Sequence, residues 1–395
     1  MRPGNHAGAF AVALAGVFTV SQANANGRFP ASNQLVVAPS DPKTLVLRTT
    51  FGLLVSRNAG ASWSWICESA VGYGGGAEDP AIGITASSAI LAATQEGLAV
   101  SSDTGCGWTF ASTDKPVADV VVRRSASGSA LAVSWDPLLG FVDGGAAPRV
   151  FQTIDNGATW TPLGVPLDPQ IEPETVDVAA TDPRRVYVGG RHLVQRIPQG
   201  ALLVSMDDGQ TWTEHVVAID PANELDVFIA AVDPMNADRV YLRILNVYGG
   251  RLIVTDDGGK TSRTVLTTAV PMPGFALSPD GSRVYVGGAG GILMAHSSDL
   301  QFAKESSVPV QCLTATQSVL YACSSETTGG FSLGASTDDG ATFKPLLHFS
   351  DIRGPLTCNA DSSAAHCADE WPVFVGVTNA DGATPVLDSG AMDAT

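Results

Sequence analysis

Carboxylates recur at matching places along the middle of the chain: Glu78 and Asp79, Asp119, Glu174 and Asp177, then Glu224 and Asp226. Residue types of this kind support three chemistries. Two acids held at a set separation hydrolyse glycosidic bonds. Several converging acids bind Ca²⁺. Acids that merely face water keep a protein soluble. A second set follows in the stretches after each acid pair: Trp135, Arg191 with His192, Arg196, Tyr248 and Arg251. Aromatic faces beside guanidinium groups suit sugar rings or carboxylated ligands. The competing reading makes Trp135 and Tyr248 covers for exposed strand edges. No Ser/His/Asp set, HExxH, CxxC or phosphate loop stands in a supporting context. Gly72-Tyr73-Gly74-Gly75-Gly76 lacks the Lys-Ser/Thr ending of a P-loop.

What positions these residues is a repeat. Ser56-Arg57-Asn58-Ala59-Gly60-Ala61-Ser62-Trp63 returns as Ser101 to Trp108 around Asp103, as Thr153 to Trp160 around Asp155, and as Ser205 to Trp212 around Asp207. Further copies centre on Asp257, on Asp299 in shortened form, and on Asp338. The seven centres are spaced 45, 52, 52, 50, 42 and 39 residues apart, the length of one four-stranded propeller blade. A short Asp side chain can accept backbone N–H groups just ahead of it, and the following Gly allows the turn. These aspartates are therefore expected to be structural.

A second element precedes each box, as in Asp182-Pro183-Arg184-Arg185-Val186-Tyr187-Val188-Gly189-Gly190, with counterparts at Asp233-Pro234, Pro279-Asp280 and Asp41-Pro42. One blade then reads as an inner strand over residues 176–180 and a second over 185–189. A third over 201–205, the box, and a fourth over 212–217 complete it. The fold expected is all-β: a seven-bladed β-propeller of four-stranded antiparallel blades. No stretch has a convincing amphipathic helical period.

These boxes resemble the Asp-box, or bacterial neuraminidase, repeat of sialidases, xyloglucan-degrading glycosidases, sortilin-type ectodomains and a photosystem assembly factor. The resemblance covers residues 33–349 and implies a propeller whose boxes lie on the face away from the ligand. It implies no single activity, because members include enzymes and binding proteins. Arg196-Ile197-Pro198 matches a sialidase element, but it falls between the third and fourth boxes, and sialidase propellers have six blades. Xyloglucan-degrading relatives use a cleft between two propellers, and this chain has boxes for one.

The acids near residues 78, 119, 174 and 224 fall where fourth strands lead into the next blade. They are thus expected on the upper rim, opposite the boxes. Residues 1–25, with an apolar run at 7–20 and Ala23-Asn24-Ala25, have the form of a cleaved export signal. The propeller is expected over 26–350, a disulfide-bearing extension over 351–378, and a disordered tail over 379–395. The chain is expected to be secreted or periplasmic, without membrane insertion, and monomeric.

The full chain carries a formal charge of −17, and removal of the signal leaves −18. That balance opposes nucleic acid and anionic membranes as partners. Six cysteines in an exported chain point to disulfides. Cys312 and Cys323 flank a hairpin, Cys358 and Cys367 share a polar loop, and by exclusion Cys67 is left for Cys106. The extension is expected to pack on the last blade or to help close the ring, with a short strand at 373–377. The function expected is non-enzymatic recognition of a protein or glycan through the upper face. The alternative is a divergent glycoside hydrolase with paired rim carboxylates. No cofactor is implied beyond Ca²⁺.

Overall fold

The box turns organise the strands. In the third copy, Thr153 Oγ1 accepts the Gly157 N–H at 3.0 Å, and Asp155 Oδ1 accepts the Thr159 N–H at 2.9 Å. The Thr159 hydroxyl donates to Asp155 Oδ2 at 2.6 Å. The copies at Asp207, Asp257 and Asp338 repeat this hydroxyl clasp at 2.6–2.7 Å. Asn156 and Gly157 both adopt left-handed backbone, at φ 60° and 89°. The closing tryptophan turns its indole back, Trp160 Nε1 donating to the Gly157 carbonyl at 3.1 Å. The degraded copy at Asp299 keeps one bond, from the Gln301 N–H, and bends at Leu300.

Residues 29–74, 78–114, 116–135, 147–195, 197–246 and 249–374 are described by a computed structural model. They form seven sheets, each built on four consecutive antiparallel strands, one per box, so the protein is an all-β seven-bladed propeller. Blade 4 consists of Ile171–Val178, Val186–Val194, Ile197–Ser205 and Thr213–Val217. Middle strands are covered on both faces by neighbouring blades. In blade 2, for example, Ile90–Thr94 and Gly97–Ser101 are buried throughout, which explains runs without polar alternation. Two short helices, Glu68–Val71 and Cys367–Phe374, add to the expected strands.

The second and third strands of blade 4 run further upward than expected. Arg191 to Val194 pairs with Ile197 to Gly200 as a projecting hairpin. The stretch read as a loop has no Gly or Pro after Gly190 to stop the ladder until the bend at Gln195, φ 51°.

Each inner strand packs on the next around the ring, and the first, Ser32–Val37, packs on the seventh blade's Cys312–Ala315. Thr314 Oγ1 donates to the Leu35 carbonyl across that joint at 2.9 Å. Among the described residues no strand is exchanged between blades 1 and 7. Instead the chain leaves blade 7, and Ile352–Pro355 lies parallel to Trp63–Ile66 as a fifth strand of blade 1.

The chain beyond that fifth strand then crosses blades 1 and 2 under two disulfides, Cys67–Cys367 and Cys106–Cys358. These replace the expected Cys67–Cys106 and Cys358–Cys367 pairs. Cys67 ends the outer strand of blade 1 and Cys106 sits in the box of blade 2, so each meets the returning strap rather than the other. The strap therefore packs on the first two blades and not on the last. Residues 367–374 are helical, so the expected strand does not begin at residue 373, and residues 375–377 lie outside the described residues; Asp369 and Glu370 occupy the first helical turn, and Trp371 packs on Trp65 at 5.4 Å. Cys312–Cys323 forms as expected between directly opposed residues.

Three disulfides accord with an oxidising, non-cytoplasmic environment. Among the described residues no helix is long and apolar enough to cross a membrane. The assigned signal and the 379–395 tail lie outside the described residues.

Gly164 shows how closely successive blades approach. It has φ 64°, and a Cβ there would stand 2.0 Å from the Gly209 carbonyl oxygen in the next box. Gly164→Ala is expected to cost about 3 kcal/mol, because backbone on both sides must move. The urea midpoint at unchanged slope measures it.

Candidate functional site

The upper face carries a cavity of about 460 Å³ between blades 2, 3 and 4. Glu78 and Asp79 lie just before the inner strand of blade 2, Ala81–Ile84, and form one wall. Their connection is held from two sides. The Gln95 N–H donates to Glu78 Oε1 at 2.7 Å, and Asn33 Nδ2 donates to Asp79 Oδ2 at 3.0 Å. Arg48 of blade 1 donates to the carbonyls of Asp79 and Pro80 at 2.9 and 3.0 Å. Trp135, half-buried, follows strand Ala130–Ser134 of blade 3 and lines the cavity between the two acidic walls.

Glu172, Glu174 and Arg191 form the blade 4 wall. Glu172 is the register partner of Arg191, and the two side chains form an ion pair. Arg191 Nη1 also reaches Asp226 Oδ1 of blade 5 at 2.8 Å. A bulge between Pro173 and Thr175 takes Glu174 out of the ladder. Its carboxyl lines the cavity without a hydrogen bond or ion pair among the described residues. Burial, reinforced by the charge of Asp226 and opposed by that of Arg191, pushes Glu174 up to about 7. Burial also raises Glu78, against the pull of the Gln95 N–H. Asp226 is raised by burial as well, despite Arg191.

Five of the expected binding residues thus meet in one cavity: Glu78, Asp79, Trp135, Glu174 and Arg191. Asp226 joins them through Arg191. Others have structural work. Asp119 Oδ2 accepts the Val176 N–H of blade 4 at 3.0 Å, and Asp177 Oδ2 accepts the Val232 N–H of blade 5 at 2.9 Å. These acids tie successive inner strands together, and burial pushes Asp119 up to about 7.

Glu224 is 4% exposed and gripped by Arg251, Nε to Oε1 at 2.6 Å and Nη2 to Oε2 at 2.7 Å. Burial pushes its carboxyl up, but the Arg251 bonds and the Asp220 N–H outweigh that and hold it low. Glu224 and Arg251 are therefore a closed pair. Arg251→Ala is expected to cost about 3 kcal/mol by leaving a buried carboxylate without its counter-ion. A Glu224→Gln, Arg251→Ala double variant in thermal unfolding should recover part of it.

His192 is taken by Glu214 at 3.0 Å. Arg196 and Tyr248 lie outside the described residues. Among the described residues the rim acids form no group of three within metal-binding reach.

Glu172, Gln95, Asn33 and Arg48 complete the site and were not singled out from sequence. For Glu172 a signal existed in the alternation Glu172-Pro173-Glu174 beside Arg191. Asn33 and Arg48 act from another blade, where no local pattern marks them.

No protein-family model matches the chain, and no curated protein matches it. Solved structures do resemble it. An ancestral GH74 enzyme superposes with a TM-score of 0.56 at 14% identity, over 79% of this chain and 46% of that one. Hydrazine synthase of Kuenenia stuttgartiensis gives 0.52 at 11% identity, over 82% and 99%. YCF48 from Cyanidioschyzon merolae gives 0.50 at 13% identity, over 74% and 92%. The chain spans under half the length of the GH74 enzyme. Likeness at such identities establishes architecture alone: the protein is a seven-bladed β-propeller, related in fold to enzymatic and non-enzymatic propellers alike.

Proposed function

We propose that the chain is a glycoside hydrolase acting in the upper-face cavity, with Glu174 as proton donor. The observation that carries this reading is the Glu174 carboxyl: unpaired, facing a cavity walled by other acids, and pushed up to about 7. Cleavage of a glycosidic bond needs one carboxyl protonated and another charged. Trp135 offers a sugar ring an apolar face between the walls. Glu174 gives its proton to the departing oxygen, water attacks the anomeric carbon, and a carboxylate of the blade 2 wall, Asp79 or Glu78, takes the proton of that water. The protein works as an exported monomer, with residues 1–25 as its signal and residues 26–350 as the propeller.

Non-enzymatic recognition of a glycan or protein at the same cavity is the second reading. It is favoured by the engagement of Glu78 by Gln95 and of Asp79 by Asn33, which leaves Glu174 the one uncommitted acid of the cavity walls. A panel of neutral polysaccharides and aryl glycosides separates the two. Turnover lost in Glu174→Gln supports hydrolysis. Binding without turnover in the unaltered chain supports recognition and rejects hydrolysis.

A further inference from the structure

Where the strap is fastened to blade 1, three side chains of metal-ligating type stand together. Cys67 Sγ, Cys367 Sγ and His366 Nε2 all lie within 4.8 Å of one another. In the oxidised chain the two sulfurs are spent on each other. His366 Nε2 is 3.8 Å from Cys67 Sγ, and Glu370 Oε1 is 3.6 Å from the same nitrogen. A tetrahedral zinc, with bonds of about 2.3 Å to sulfur and about 2.0–2.2 Å to nitrogen and oxygen, sets its ligand atoms about 3.4–3.8 Å apart. These two separations match their edges to within a few tenths of an ångström, whereas the two sulfurs, bonded to each other in the oxidised chain, must part to about 3.8 Å.

The surroundings suit a metal in other respects. Ser69 Oγ lies 2.9 Å from His366 Nε2 and donates to Glu370 Oε1 at 2.6 Å, so ring and carboxylate already share one anchor. The Cys67 N–H donates to Cys367 Sγ at 3.1 Å, a bond that strengthens when that sulfur becomes a thiolate. Both sulfurs are fully buried, while the side chains of His366 and Glu370 are 44% and 43% exposed. The two ligands besides the sulfurs are thus reached directly from solvent.

We propose that the reduced strap is a zinc site, with Cys67, Cys367 and His366 as ligands and Glu370 in the fourth position. A dithiol reductant delivers two electrons and two protons to the disulfide and closes its own disulfide. Zinc then displaces the two thiol protons and binds both sulfurs, taking His366 Nε2 away from Ser69. The strap stays joined to blade 1 in either redox state, by a covalent bond in one and by metal in the other.

The test uses the full chain, reduced with a phosphine that is then removed, and titrated with Co²⁺ followed by Zn²⁺; reduction opens both strap bridges and leaves the metal-free chain barely folded, so the metal should restore the fold as it binds. One equivalent should bind, with a thiolate-to-cobalt charge-transfer band that zinc abolishes. Zinc should slow alkylation of Cys67 and Cys367 at least tenfold more than that of Cys106 and Cys358, read by peptide mass. His366→Ala should weaken zinc at least tenfold, and the unreduced chain should take none at this site. Absence of the band, equal alkylation of Cys67 and Cys106, or a strap that detaches on reduction and takes no zinc would each overturn the proposal.

Discussion

Removing both strap disulfides, by Cys67→Ser with Cys106→Ser, is expected to leave the chain barely folded at 25 °C. Each bridge closes a very long loop, with sequence separations of 300 and 252 residues. On the chain-entropy account the first to form stabilises by on the order of 5–6 kcal/mol. The loops are nested, so the second bridge then closes a circuit of only about fifty residues and adds about 4 kcal/mol. Either single variant should therefore lose about 4 kcal/mol, and the double variant about 10. A domain's whole stability is about 5–15 kcal/mol.

The geometry agrees with that ranking, because among the described residues blades 1 and 7 share no strand and the strap, held by its two disulfides, ties the chain back across the joint. Breaking Cys312–Cys323, which closes a separation of 11 residues, should cost only about 3 kcal/mol. Urea unfolding of the three variants measures this. A double variant with the midpoint of the unaltered chain would show that inner-strand packing alone closes the ring.

The strap also marks where sequence stops being informative. Boxes are local: Thr153, Asp155, Gly157 and Thr159 make their bonds within five residues, so seven copies at blade spacing already specify seven sheets. Cys67 and Cys367 are joined by a chain that travels the whole ring first, and nothing beside either cysteine encodes that return. The elimination that paired Cys67 with Cys106 assumed that near cysteines prefer each other, which fails when a terminal segment comes back over the first blades.

The rim repeats the lesson at smaller scale. Glu174 and Glu224 occupy like positions in successive blades and look alike in sequence. One is set free by a bulge, and the other is closed off by Arg251 from two strands away. Arg191 was legible as an upper-face guanidinium among aromatic residues. Its double engagement of Glu172 and Asp226 depends on a strand that continues where a loop was expected. The upper face was legible from topology, whereas which acid stays free depends on register.

Glu174→Gln tests that distinction in both activity and stability. If Glu174 donates the proton, the variant should lose about 10²–10⁴-fold in kcat on substrates with poor leaving groups. The unaltered protein's rate should fall as pH rises through about 7, where the donor loses its proton. The stability consequence has its own sign. The carboxyl's ordinary value is 4.5 and its folded value is about 7, so the folded state holds the proton more tightly than the unfolded chain. Its contribution is fully present below pH 4.5 and is lost as pH rises through 7.

Above pH 7 the charged carboxylate therefore sits in a site that disfavours it, and Glu174→Gln should be more stable than the unaltered chain there, by about 3 kcal/mol. Below pH 4.5 the two should unfold alike. Glu224→Gln should show the opposite sign at neutral pH, because Arg251 holds that carboxylate charged. A single series of thermal scans from pH 4 to 8 on the two variants thus separates a carboxyl waiting for a ligand from one already satisfied. If Glu174→Gln followed the Glu224 pattern, Glu174 would be a charged structural acid and could not serve as proton donor.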